Sequence, residues 1–145
     1  MRFNALIPEL AVVSIAESRR FYCDVLGFSI AYERSEEGFA FLELGEAQLM
    51  LDEAGIGRTF DRDGPLQRPL GRGLNLQIRA ANLAAMLAAL DGAGWPLYLP
   101  LEERWYRRGG EALGNRQFVV ADPDGYLLRF YEELGTRPAA ADFSR

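Results

Sequence analysis

Phe21-Tyr22-Cys23-Asp24-Val25-Leu26-Gly27-Phe28 closes a helical stretch after one strand-like run, and Ala88-Ala89-Leu90-Asp91-Gly92-Ala93-Gly94-Trp95 closes another after a second. In both, an apolar helical stripe runs into glycine, which takes the left-handed backbone that ends a helix, and an aromatic residue follows. The recurrence reads as a duplicated module. An ordinary ferredoxin-like α/β sandwich also yields β-α-β-β order, but it accounts less well for the second half.

Outward from the first stretch, Ala5 to Val13 alternates as a strand, and Ser14 with Glu17 three residues on forms a capping box that opens the helix. Strands follow at Ser29–Arg34, Phe39–Leu44 and Ala47–Asp52, separated by Glu36-Glu37-Gly38 and Gly45-Glu46 turns. Residues 53 to 71, rich in glycine, proline and scattered charge, read as a linker. The pattern then restarts. Leu74, Leu76 and Ile78 alternate with Asn75, Gln77 and Arg79, and Asn82 caps a helix carrying Leu83, Met86, Leu87 and Leu90. Strands are expected at Pro96–Leu101, Glu103–Arg108 and Arg116–Ala121, and Asp122-Pro123-Asp124-Gly125 turns into a last strand, Tyr126–Glu132. The fold class is α+β: two pseudo-symmetric β-α-β-β-β modules, about 5–52 and 72–132, in a single domain over 1–145, with residues 136–145 expected to fray.

Composition narrows the partners. With 49% hydrophobic and 26% charged residues among 145, the chain buries one sizeable core. A net charge of −5 and a pI near 4.8 disfavour nucleic acid and anionic membrane, which need a basic surface, and favour a cationic ligand. The single cysteine, Cys23, forms no internal disulfide, and no basic start leads into an apolar run, so a cytoplasmic home is expected. On a helix, Cys23 reads as a small buried apolar residue. The chain has no histidine, and its 16 basic residues are all arginine. Ser-His-Asp and Cys-His pairs are therefore impossible, and a catalyst would need a carboxylate raised by burial, with Glu9 the nearest candidate.

Ile7-Pro8-Glu9-Leu10-Ala11-Val12, Phe21-Tyr22 with Leu26-Gly27-Phe28, and Gly114-Asn115-Arg116-Gln117-Phe118 leading into Asp122-Pro123-Asp124-Gly125-Tyr126 together resemble the vicinal-oxygen-chelate superfamily, most of all its bleomycin-resistance and glyoxalase-like branch. The resemblance spans residues 5 to 132. It implies a cupped sheet with helices outside, and a homodimer with grooves shared between chains. In the superfamily's metal enzymes, the inward faces of the first and last strands of the modules carry histidine, glutamine or glutamate. Here those places hold Ile7, Met50, Gly73 and Arg129, which make no ligand set for a divalent ion, so no metal and no cofactor is expected.

If Leu10, Leu74, Leu76, Leu128 and Phe130 face the helices, then Glu9, Asn75, Gln77, Leu127, Arg129 and Tyr131 face the cup, an apolar-walled groove with a few convergent polar groups. Glu9 and Arg129 either neutralise each other or contact the ligand. Phe39, Phe41, Trp105 and Tyr106 add flat rings for stacking or for cation–π contact, with a dimer interface as the other reading of Trp105 and Tyr106. Trp95, in the place of Phe28, reads as core. The candidate ligand-binding residues are thus Glu9, Phe39, Phe41, Met50, Asn75, Gln77, Trp105, Tyr106, Arg129 and Tyr131. The expected function is metal-free sequestration of a bulky cationic, partly aromatic, bleomycin-like antibiotic. A lyase, isomerase or dioxygenase of the same superfamily, or a binder of an unrelated metabolite, are the alternatives.

Overall fold

The computed structural model describes residues 1–140. In the first half β1 (Glu9–Val12), α1 (Ile15–Arg19), β2 (Ser29–Arg34), β3 (Phe39–Leu44) and β4 (Ala47–Glu53) succeed one another; β5 (Asn75–Arg79), α2 (Leu83–Gly92), β6 (Leu99–Arg108), β7 (Glu111–Ala121) and β8 (Leu127–Pro138) make the second. The strand orders β1-β4-β3-β2 and β5-β8-β7-β6 coincide, so the duplication read from the two helix ends is a duplication of topology. In each half the first and last strands run parallel and the remaining neighbours antiparallel. The eight strands form two separate sheets, leaving β1 and β5 each as an edge.

Ser14 caps α1 as its context predicts, its hydroxyl accepting from the Glu17 amide at 3.2 Å, while the Ile15 amide donates to Glu53 Oε1 of β4 at 2.9 Å. From Arg20 to Val25 the helix widens to a π turn, ending with the Leu26 amide on the Phe21 carbonyl at 3.0 Å. Phe21 and Tyr22, adjacent in sequence, are both buried there. The Asn82 side chain caps α2 by accepting from the Ala85 amide at 3.0 Å.

Leu10, Val12, Leu42 and Leu51 of the first sheet join Ile78, Phe118, Leu128 and Phe130 of the second, with Tyr22, Phe28, Leu83 and Leu90, in one core. Phe28 meets Phe130 at 6.4 Å, and Phe21 meets Trp95 at 4.6 Å, so each half buries the aromatic end of the other. Trp95, expected in the core, is half-buried and packs against it, and its indole donates to the Ala121 carbonyl at 2.9 Å.

The halves are also clasped through the Asp122-Pro123-Asp124-Gly125 turn. Asp122 Oδ2 accepts from the Tyr22 hydroxyl at 2.7 Å, and its Oδ1 accepts from the amides of Asp124 and Tyr126, each at 2.9 Å. Asp124 accepts from Val13 N–H at 3.2 Å and Arg68 Nε at 2.9 Å, and the Tyr126 hydroxyl donates to the Ala11 carbonyl at 2.9 Å. Burial drives the Asp122 carboxyl up to about 6, against the pull of its hydrogen bonds, and pushes the Tyr22 phenol well above its ordinary range. Arg68, inside the stretch read as a linker, is thereby fixed to the second half.

Several expectations need correction. Pro96–Leu101 and Glu103–Arg108 are not two strands; Leu99–Arg108 is one edge strand with a register shift between Leu99 and Glu102, and an outermost strand keeps Glu102 and Glu103 without burying them fully. Its partner begins at Glu111, not Arg116, because Gly109, at φ 62°, and Gly110 turn the hairpin. Thr136–Pro138 do not fray: β8 carries them to pairings with Leu113, Ala112 and Glu111, and only residues 141–145 of that expected tail lie outside the described ones. At the other end, Ala5–Pro8 precede β1, and Leu74, assigned to the helix face, is 48% exposed before β5 begins.

Candidate functional site

Apart from Trp105, the sequence-predicted residues fall into two clusters, one on each sheet, on the faces turned away from the core. In the first, Phe41, Met50 and Glu9 stand in one row across β3, β4 and β1, and Phe39, Asp52 and Ala11 in the next row. The period of two that sends Leu10, Leu42 and Leu51 into the core sends Glu9, Phe41 and Met50 to the other face. Tyr32 stacks on Phe41 at 5.1 Å and 16°, Phe3 meets Phe41 edge-on at 5.5 Å, and the Arg34 guanidinium lies 4.1 Å from the Phe39 ring centre. Phe39 and Phe41 are consequently buried, while Glu9 is exposed. The segment before β1 is tacked over this face: Asn4 N–H donates to Gln48 Oε1 at 2.7 Å, and Gln48 Nε2 donates to the Arg2 carbonyl at 2.6 Å. Asp52 is raised by burial, an effect that nearby Arg34 opposes.

The second cluster surrounds a cavity of about 610 Å³ on the outer face of the second sheet, lined by Gln77, Tyr106, Arg129 and Tyr131 together with Leu113, Asn115 and Glu133. Gln77 pairs with Arg129, and Tyr131 with Gln117, so the parallel β5–β8 pair and antiparallel β7 fix their spacing. Gln117, 1% exposed, donates through Nε2 to Glu102 Oε2 at 2.9 Å and to the Tyr106 oxygen at 2.7 Å, and Arg129 Nη1 reaches the same oxygen at 3.4 Å. Two of the arginines on this face are paired with carboxylates, Arg79 with Glu133 at 3.0 Å and Arg108 with Glu111 at 2.8 Å, while Arg116 pairs with Glu132 at 3.2 Å on the opposite face.

Gln77, Tyr106, Arg129 and Tyr131 thus line one cavity, with Asn75 exposed at the start of β5. Glu9 and Arg129 sit on different sheets, and no ion pair joins them among the described residues. Trp105 is separate from the cavity. It pairs with Gly114, one residue before Tyr106 and hence on the other side of β6, and the Arg137 guanidinium covers its ring at 3.9 Å. Sequence reasoning missed Tyr32, Arg34, Gln117 and Glu102. Tyr32 was detectable as the alternating aromatic opposite Phe41, but the meeting of Gln117 with Glu102 and Tyr106 depends on the register of β6 on β7.

The residues do not fit a divalent ion. Ile7 and Gly73 precede the strands, and Met50 and Arg129 occupy the outer faces beside a lone carboxylate, Glu9, and an amide, Gln77. Among the described residues no three His, Cys, Asp or Glu side chains come together as a metal cage.

The family model described as "Glyoxalase/Bleomycin resistance protein/Dioxygenase superfamily" matches residues 5–130. The chain belongs to that superfamily. Curated bleomycin resistance proteins from Geobacillus stearothermophilus and Staphylococcus aureus are each 28% identical to this superfamily member over 137 residues, covering 88% of this chain and 96% of theirs. Among solved structures, TioX from Micromonospora sp. ML1 aligns with a TM-score of 0.67 at 20% identity, covering 91% of this chain and 100% of that one. A bleomycin resistance determinant encoded on the transposon Tn5 aligns with a TM-score of 0.56 at 20% identity, covering 91% and 99%. At such identities the structures bear on fold alone. No helix among the described residues is long and apolar enough to cross a membrane.

Proposed function

We propose that this protein captures a bulky, cationic, partly aromatic compound of the bleomycin type and holds it intact, as a cytoplasmic, metal-free homodimer. The observation that carries the reading is the half-buried Tyr32 ring, backed by the buried Phe41, with Met50 and the exposed Glu9 carboxylate in the same row as Phe41: an aromatic surface, a soft thioether and a carboxylate on one sheet face. Such a face favours a flat cation, by stacking, cation–π attraction and charge. The net charge of −5 adds long-range attraction, and the relatives named for bleomycin resistance favour the same class of guest.

Within one chain the two clusters occupy separate sheets. With β1 and β5 both free edges, β5 of a second copy alongside β1 would bring the cavity of one chain next to the aromatic face of the other and complete a shared groove. Affinity would come from burying rings and apolar walls, orientation from Glu9, Asn75, Gln77 and Arg129, and no bond in the guest would be broken.

Isothermal calorimetry with metal-free bleomycin tests this, with mass spectrometry of the ligand recovered after incubation. Saturable binding of unmodified ligand is expected. No saturable heat at tens of micromolar ligand, an affinity weaker than about −6 kcal/mol, or recovery of a chemically altered ligand would overturn it.

A further inference from the structure

We infer that the cavity on the second sheet is a subsite for an anionic, planar oxygen group, a carboxylate foremost, held by Arg129 and the Tyr106 hydroxyl. The assignment concerns the ligand site of the sequestration reading and deepens it: the guest carries an anionic group for this cavity as well as a cation for the first sheet.

Arg129 is set apart by burial without a counter-charge. On the same face Arg79 and Arg108 each have a carboxylate within 3.0 Å and Arg104 is exposed beside the Tyr106 ring, whereas Arg129 is half-buried and in no ion pair among the described residues. Its Nε is shut away from solvent with no acceptor, and its Nη1 reaches only the weakly placed Tyr106 oxygen at 3.4 Å. A permanent cation partly removed from water without a counter-charge is costly, and an incoming carboxylate offsets that cost through the guanidinium fork.

Tyr106 is prepared in the same sense. Its oxygen accepts from Gln117 Nε2 at 2.7 Å and from Arg129, so its own proton points to no protein acceptor among the described residues and is available to a ligand. Gln117 holds that arrangement. It is 1% exposed, its amide is oriented by Glu102 at 2.9 Å, and its Oε1 is buried without a partner. Glu133, the carboxylate that lines the cavity, is already held by Arg79 at 3.0 Å. A guanidinium and a hydroxyl proton converging on one cavity wall, whose lining carboxylate Glu133 is already paired with Arg79, select an anionic oxygen pair over a cation.

Benzoate and its neutral analogue benzamide, titrated into the ¹⁵N-labelled full chain, provide the test. Saturable movement of the Arg129 Nε–H and Gln117 side-chain amide signals is expected with benzoate and not with benzamide. Arg129→Gln should weaken benzoate at least about tenfold, and Tyr106→Phe several-fold. The wild-type comparison stands even where a variant fails to fold. Equal responses to both probes, or none, overturn the subsite. Bleomycin is titrated in parallel: bleomycin binding with benzoate silent removes the subsite and keeps sequestration, while benzoate binding with bleomycin silent keeps the subsite and removes bleomycin as the guest.

Discussion

Asp122→Asn is expected to make the protein more stable at neutral pH and to abolish a specific part of its pH dependence. Asp122 is 3% exposed at the junction of the halves, and burial lifts its carboxyl from an ordinary value of 3.8 to about 6. The folded state therefore holds the proton more tightly than the unfolded chain. Between these two values the folded protein binds more protons than the unfolded one, so this group's contribution to stability falls as pH rises from about 4 to about 6, then stays level. At 1.36 kcal/mol per tenfold, the gap corresponds to about 3 kcal/mol. Asparagine keeps the Oδ1 that accepts from the Asp124 and Tyr126 amides, and its NH₂ can donate to a reoriented Tyr22 hydroxyl. Urea unfolding of wild type and Asp122→Asn at fixed protein concentration, from pH 4 to pH 8, measures the difference. With urea slopes of about 1–3 kcal/mol/M, the midpoint difference between the two should change by about 1–3 M across that range, the variant gaining relative to wild type as pH rises. A difference that is flat with pH, or that favours wild type more at pH 8 than at pH 4, would refute the reasoning, since the ionised carboxylate would then be stabilised by the clasp.

Tyr126→Phe removes the hydroxyl bond to the Ala11 carbonyl and should cost about 1 kcal/mol in urea unfolding, without altering benzoate or bleomycin binding. Gly114→Ala would place a Cβ 2.6 Å from the Trp105 ring, so the indole must leave its place beside Arg137, with an expected loss of about 1–3 kcal/mol and a changed tryptophan emission maximum. Raising salt from low to high should weaken bleomycin binding several-fold in calorimetry, because part of the attraction comes from a net charge of −5. An affinity independent of salt would remove the electrostatic part of the proposal.

Much of the fold was legible because its signals are local. Ser14 and Asn82 announced helix starts that the structure caps through the amides of Glu17 and Ala85, and alternating apolar residues placed β2, β3 and β4 to within a residue. The misreadings share a cause. The break expected at Glu102 arose because charge on an outermost edge strand carries the same local signature as charge in a loop, and Thr136–Pro138 looked loose because nothing local shows that β7 extends far enough to pair them.

For the site, the sequence by itself determined which chemistry is absent and which faces carry the candidates. A chain without histidine has no imidazole for a metal or a proton relay, and a period of two puts Glu9, Phe41 and Met50 on one face and Gln77, Arg129 and Tyr131 on another. Only tertiary structure decided which candidates meet. Glu9 and Arg129 went to different sheets, Trp105 turned away under Arg137, and Gln117 came beneath Tyr106, because strand register is set by long-range pairing that a residue's own neighbours do not encode.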